Sequence, residues 1–269
     1  MIVLKYTKIW EKINPATPKV SRGKGSLCGI INYCFMNDYI KMNRDAYNAV
    51  ADLFSSTRQY LWDDMKDLGT YVKMGDRVLD LGCANGRLHE LFEQATGGSL
   101  GVEYVGLDQS EELIAIAKKA YRESEFVVGE MCALPFDDDS FDAVYCIAVF
   151  CHLPPEKHEQ VLTEMKRVLK PGGYLIMTNW NAFNDWVQDK VNKGKYTTED
   201  QKNFIVPWRN GPGDVLATRY YYGFDLEELQ KLFEKQGFDV LEHYYAKKGE
   251  RVGIELGENI VSVMTKKKQ

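Results

Sequence analysis

The sequence predicts an α/β fold: a doubly wound, mostly parallel sheet of seven strands behind an N-terminal helical lead-in. Three observations predict it. Strand-like and helix-like segments alternate from residue 77 to residue 178, the pattern of a parallel sheet covered by helices on both faces. Three successive strand ends run into turns rich in glycine or acid, as in folds that bind ligands at the carboxyl ends of their strands. With 269 residues, 45% of them hydrophobic, the chain can bury one full core, so a single domain with elaborations is expected.

Residues 1–42 read as an irregular arm, with Pro15, Pro18 and the Gly23-Lys24-Gly25 breaker cluster. From Asn43 to about Val72 the apolar residues Tyr47, Val50, Phe54, Leu61, Met65 and Leu68 recur at helical spacing. Strands are expected at 77–81, 103–107, 126–128, 141–149 and 174–178. Helices are expected at 86–94, 111–121 and 155–169, and Pro171-Gly172-Gly173 reads as a turn. Residues 180–223 are aromatic-rich and read as an irregular lid or substrate insert. A helix over 226–236 stopped by Gly237 precedes two strands, 239–245 and 260–265, forming a hairpin-like edge.

Composition excludes several classes. No apolar run approaches the roughly 18 residues of a membrane span. The apolar start Met1–Leu4 is too short for a signal-peptide core. The six cysteines (28, 34, 83, 132, 146, 151) form no CxxC pair, which points to free thiols and a cytoplasmic setting. Net charge is −5, against broad nucleic-acid affinity, yet residues 1–25 carry +5 and leave −10 for the rest. That arm either contacts phosphates or is a solvated terminus.

The most informative stretch is Val78–Gly86, an apolar strand entering a turn with glycines at 82 and 86. Glycine permits positive φ and lets the backbone approach a ligand. The spacing is G-x-x-x-G, not the G-x-G-x-x-G that grips a pyrophosphate, and it suits a cationic ligand with an amino-acid tail. Asp80 is placed to hold that tail's ammonium. Asp108, 22 positions after Gly86, ends the next strand where a carboxylate can accept two ribose hydroxyls. Gly129–Phe136 follows the third strand and offers apolar walls for a base, with Glu130 or its neighbours reading the edge.

These stretches, with Ser140-Phe141-Asp142 and Leu169–Gly173, resemble the type 11 class I methyltransferases over roughly residues 75–180. The resemblance implies a Rossmann-like methyltransferase fold with S-adenosylmethionine as cofactor. It implies cofactor roles for Asp80, Gly82, Cys83, Gly86, Asp108, Gln109, Glu130, Met131, Cys132 and Ile147. The family often has Asp where Glu130 stands.

A narrower resemblance involves Phe54–Arg58 with Trp62, Ile147–His152, Val206–Trp208 and Arg219–Phe224. These are similar to segments of the eukaryotic tRNA wobble-uridine carboxymethyl methyltransferases, which esterify a carboxylate on a modified anticodon uridine. In that family the lead-in helix closes over the methionine end, which implies a cofactor role for Arg58. Two departures are Cys151, where a histidine often stands, and Gly223, where a bulkier residue is usual.

Chemistry sets the acceptor candidates. A carboxylate is already a nucleophile at neutral pH and needs a cation to hold it, for which Arg219 and Arg58 are suited. An amine or hydroxyl acceptor wants a base, and His152 is the candidate. Both His152 and Arg219 also admit purely structural readings. Trp180, Trp186, Trp208 and Tyr220–Tyr222 either stack bases or pack in the core, while His89, His158 and His243 show no evident chemistry. Three functions stay open at this point: a tRNA-directed carboxylate O-methyltransferase, a small-molecule O- or N-methyltransferase, and a non-catalytic cofactor-binding partner subunit. tRNA, a small-molecule acceptor and a small activating subunit are the partners to test; no membrane is expected.

Overall fold

The structure is a computed structural model that describes residues 39–58, 60–97, 101–198, 200–211 and 213–268. The basic arm, Cys28 and Cys34 lie outside the described residues.

The lead-in begins with helix α1 (residues 39–49), already helical before the expected start at Asn43. The single helix expected to Val72 is broken into α2 (Ala51–Thr57) and a 3-10 helix (Asp63–Tyr71). Side-chain competition for carbonyls explains the stop after Thr57. The Ser56 and Thr57 hydroxyls donate to the Leu53 carbonyl oxygen, each at 2.9 Å, and Thr57 also reaches that of Phe54 at 3.1 Å.

Strands and helices then alternate as expected. They are β1 (Arg77–Leu81), α3 (His89–Ala95), β2 (Glu103–Asp108), α4 (Glu111–Ala120), β3 (Glu125–Val128), β4 (Phe141–Ile147), α5 (Pro155–Val168) and β5 (Leu169–Trp180). Local chemistry sets the helix starts. Ser110 accepts the Leu113 N–H at 3.2 Å to cap α4, and Pro155 opens α5, where a missing N–H costs nothing. No turn separates α5 from β5. Gly172, at φ +80, instead forms part of a register shift opposite Phe141–Ala143, a bulge the two glycines allow.

The region 180–223 is ordered, contrary to expectation. It contains α6 (Asp185–Asn192) and a second, antiparallel sheet of β6 (Thr197–Thr198), β7 (Asn203–Arg209) and β8 (Val215–Tyr222). The aromatic density is the strand signal itself: Phe204, Val206, Tyr220 and Tyr222 are buried, with less buried residues between them.

After α7 (Leu226–Lys235) come β9 (Phe238–Lys247), β10 (Glu250–Val252) and β11 (Asn259–Lys266). The main sheet has eight strands in the order β10-β9-β11-β5-β4-β1-β2-β3, one more than expected because β10 adds to the edge. β11 is not an edge strand. It runs antiparallel between β5 and β9 with five consecutive buried residues. β1 pairs with both β2 and β4 in parallel, so the chain reverses its direction of sheet growth between them. That switch point opens the crevice used below.

Successive strand residues feed two buried clusters. Leu79, Val144 and Leu175 join Val161, Met165 and Phe233, while Val78, Tyr145 and Ile176 join Met65, Leu68 and Phe92. No helix among the described residues is long and apolar enough to cross a membrane.

Candidate functional site

One cavity lies over the carboxyl ends of β1, β2 and β4. Of the thirteen residues singled out in the sequence, all but Gly86 line it.

The first turn is stitched to the end of β2: the Gly82 and Cys83 amides both donate to the Leu107 carbonyl oxygen, at 2.6 and 3.1 Å. Gly82 sits at φ +80, and a Cβ there would lie 2.4 Å from Val149 Cγ2. Glycine is thus required by contact with the turn after β4, not only by an incoming ligand. Gly86, at φ +79, faces Tyr121 and Phe126, which a Cβ would meet at 3.0–3.1 Å. Its role is packing, which is why it does not line the cavity.

Two acids flank this turn. Asp108 accepts from the Ala84 amide at 2.9 Å and the Ser110 amide at 2.8 Å, so it ties the first turn to the start of α4. Burial raises its proton affinity against the pull of those amides. Asp80 is 3% exposed and accepts from the Tyr104 hydroxyl at 2.6 Å. Burial pushes its pKa up to about 7. Among the described residues neither acid has a lysine or arginine within ion-pair distance. Glu130 is different: its exposed carboxylate pairs with Arg44 of α1 at 3.5 Å, on the rim.

Three arginines line the same cavity. Arg219 of β8 lies over Trp208 at 4.6 Å and Tyr221 at 5.3 Å, and its Nη1 donates to the Tyr221 hydroxyl at 2.8 Å. Its buried Nε has no hydrogen-bond partner, and no described carboxylate lies within ion-pair distance. Arg58 follows α2, donates to the Thr57 carbonyl at 3.3 Å and lies over Phe54 and Trp208. Arg87, which sequence reasoning missed, lies over Trp62 at 4.4 Å.

His152 sits in a short 3-10 turn after β4 and is 8% exposed. Its Nδ1 is 2.8 Å from the Tyr220 carbonyl oxygen, which can only accept, so Nδ1 carries the proton. Nε2 therefore holds the lone pair, and the Tyr47 hydroxyl donates to it at 2.8 Å. Burial pushes the ring's pKa down to about 3. The ring is neutral at ordinary pH and its lone pair is occupied, so it serves to orient Tyr47.

Trp180, Trp208 and Tyr221 line the cavity, whereas Tyr220 and Tyr222 are buried in the core and Trp186 is exposed. His89, His158 and His243 are each engaged with a hydroxyl or a backbone carbonyl. Tyr47, Arg87 and Asn259, missed in the sequence, come from three separate segments, and Trp62 was named there only within the narrower resemblance. Of the three missed residues, Arg87 alone carried a visible signal, a cation directly after the glycine turn.

The chain matches known proteins over this region. The family model described as "Methyltransferase domain" matches residues 79–177. A chain of Encephalitozoon cuniculi described as a methyltransferase is 32% identical over 192 residues, covering 71% of this chain and 83% of its own length. The tRNA (carboxymethyluridine(34)-5-O)-methyltransferase of Arabidopsis thaliana is 33% identical over 171 residues, or 63% of this chain but 39% of its own. The chloroplastic 2-phytyl-1,4-beta-naphthoquinone methyltransferase of that plant is 30% identical over 232 residues, 78% of this chain and 83% of its own. Among solved structures, an S-adenosylmethionine-dependent methyltransferase of Methanosarcina mazei superposes with a TM-score of 0.61 at 24% identity, covering 76% of this chain and 98% of that one. A methyltransferase of Haloferax volcanii, solved with its Trm112 activator, gives 0.59 at 20% identity, with 84% and 98% covered. These two likenesses concern the fold.

Proposed function

The chain belongs to the class I S-adenosylmethionine-dependent methyltransferases, and from that premise we propose that it esterifies a carboxylate, the carboxymethyl group of a tRNA wobble uridine. Its cofactor is S-adenosylmethionine. The cavity fits that group: two acids without cation partners among the described residues, the buried Asp80 and the half-buried Asp108, stand at the ends of β1 and β2. Asp80 would take the ammonium, Asp108 the ribose hydroxyls, and the 129–132 stretch the base. When bound, the cofactor supplies an electrophilic methyl on a cationic sulfur.

The acceptor reading is carried by Arg219. A guanidinium enclosed by Trp208 and Tyr221, with an unmet donor and no acid partner, favours an anionic acceptor. Such an acceptor attacks through a carboxylate oxygen and needs no base. His152 fits this reading too, since its lone pair is committed to Tyr47 and cannot also take an acceptor proton. The tRNA part rests on the likeness to the plant enzyme. An activating subunit, as in the archaeal complex, belongs to the same proposal. The four described cysteines carry free thiols, which fits a cytoplasmic setting.

The second reading is a small-molecule O- or N-methyltransferase, favoured by the net charge of −5 and the likeness to a quinone-directed enzyme. Transfer of tritium from labelled cofactor into fractionated tRNA and metabolites tests both. Label in tRNA that mild alkali releases as methanol supports the ester on RNA; label confined to metabolites, or stable to alkali, overturns it.

A further inference from the structure

Strand β8 sorts its side chains by alternation. Arg219 and Tyr221, two positions apart, both line the cavity, whereas Tyr220 and Tyr222 are buried in the core. Tyr221 therefore reaches the same space as the guanidinium that carries the acceptor reading. Its ring packs against Trp180, with centroids 4.9 Å apart, and against His152 at 4.2 Å. Those contacts restrict where its hydroxyl can point.

The two phenols of the cavity differ in what they can offer. A guanidinium only donates, so the 2.8 Å contact from Arg219 Nη1 falls on the Tyr221 oxygen and leaves the Tyr221 proton available. Burial raises the Tyr221 pKa well above its ordinary value, against the pull of Arg219, so the phenol keeps that proton at neutral pH. Tyr47 is in the reverse position. His152 Nδ1 donates to the Tyr220 carbonyl, Nε2 accepts, and Tyr47 spends its proton there. Tyr47 can offer a neighbour only its oxygen. Towards Tyr221 that oxygen is a neutral acceptor, and a carboxylate is a stronger one because it is charged.

We propose that Tyr221 determines acceptor specificity, as a second, neutral donor to the acceptor carboxylate. Anchored through its oxygen by Arg219 Nη1, it gives its proton to one carboxylate oxygen, while the unmet Arg219 Nε donates to the carboxylate as well. The proposal deepens the carboxylate reading above and rests on it. A carboxylate has acceptor sites to spare for both donors and still keeps a lone pair with which to attack. The amide of the same shape has no charge and turns an NH2 group towards one of the two donors, leaving it unpaired.

Two anticodon stem-loops that differ in one group isolate this contact. One carries 5-carboxymethyluridine at the wobble position, the other the neutral 5-carbamoylmethyluridine. Each is titrated calorimetrically into the full chain saturated with S-adenosylhomocysteine. The wild-type protein should favour the acid by about 100-fold, as expected for two donors on a charged group. In Tyr221→Phe, which keeps the ring on Trp180 and His152, that preference should fall about 10-fold, through loss of affinity for the acid alone. Tyr47→Phe, which removes a phenol with no proton to give, should keep the preference. An unchanged preference in Tyr221→Phe, equal weakening of both stem-loops, or an equal loss in Tyr47→Phe overturns the assignment. If the wild-type protein binds the two alike or binds neither, the carboxylate reading itself fails and this inference falls with it.

Discussion

Asn43 pairs with the backbone of Tyr220 through both ends of its amide: Oδ1 accepts the Tyr220 N–H at 2.7 Å and Nδ2 donates to the Tyr220 carbonyl at 3.1 Å. The same Nδ2 reaches the His152 carbonyl at 3.0 Å, and Asn43 is fully buried. One side chain thereby holds α1, which carries Tyr47, against β8, which carries Arg219, and against the turn carrying His152.

Asn43→Ala should lower stability by about 3 kcal/mol, since buried groups on Tyr220 and His152 lose partners. Affinity for S-adenosylhomocysteine should stay within about threefold of wild type, while the acceptor KM rises about 10-fold or more. Calorimetry and initial rates separate the two effects; a cofactor defect as large as the acceptor defect would show that the clamp does not belong to the acceptor side.

His152 should not appear in the pH profile. With burial pushing its pKa down to about 3, its protonation state is constant through the neutral range. With saturating cofactor, kcat should be flat from about pH 5.5 to 8.5. A limb near pH 6.5 would show that a histidine acts as a base after all. Stability should respond instead: below about pH 6.5 the unfolded ring takes a proton that the folded ring refuses, so stability falls as pH falls.

Asp80 has the opposite sign. Between about pH 4 and 7 the folded chain retains a proton on Asp80 that the unfolded chain has released, so this group's contribution falls as pH rises through that window. An arriving ammonium displaces that proton. Cofactor affinity should therefore climb with pH to about 7 and level off, with up to one proton released per molecule bound at pH 6. Titrations in buffers of different ionisation enthalpy measure that release, and Asp80→Asn should abolish it.

Gly82→Ala should disrupt the turn by two routes: positive φ, costing about 1 kcal/mol, and a Cβ driven against Val149. A melting temperature several degrees lower with weakened cofactor binding is expected. A fully stable variant with normal binding would mean the 147–149 turn yields freely.

Asp108→Ala should weaken cofactor binding by about 3 kcal/mol, on losing the acceptor for two hydroxyls. It also leaves the Ala84 and Ser110 amides unpaired, so some loss of stability should accompany it. Full affinity in this variant would move the ribose elsewhere.

The sequence by itself determined the alternation of β1 to β5 with their helices and the turns at their carboxyl ends, because periodicity, glycine and capping residues act within a few neighbours. Asp80, Gly82 and Asp108 were legible for that reason. It misjudged residues 180–223, where aromatic alternation marked a sheet, and the last strand, whose place between β5 and β9 depends on distant partners. Only the tertiary structure decided that the Gly82 hydrogens face Val149, that His152 spends its lone pair on Tyr47, and that Arg87 and Arg219 lack acid partners. Those properties arise from contacts between segments far apart in the chain, and no local pattern of residues encodes which buried donor will be left unmet.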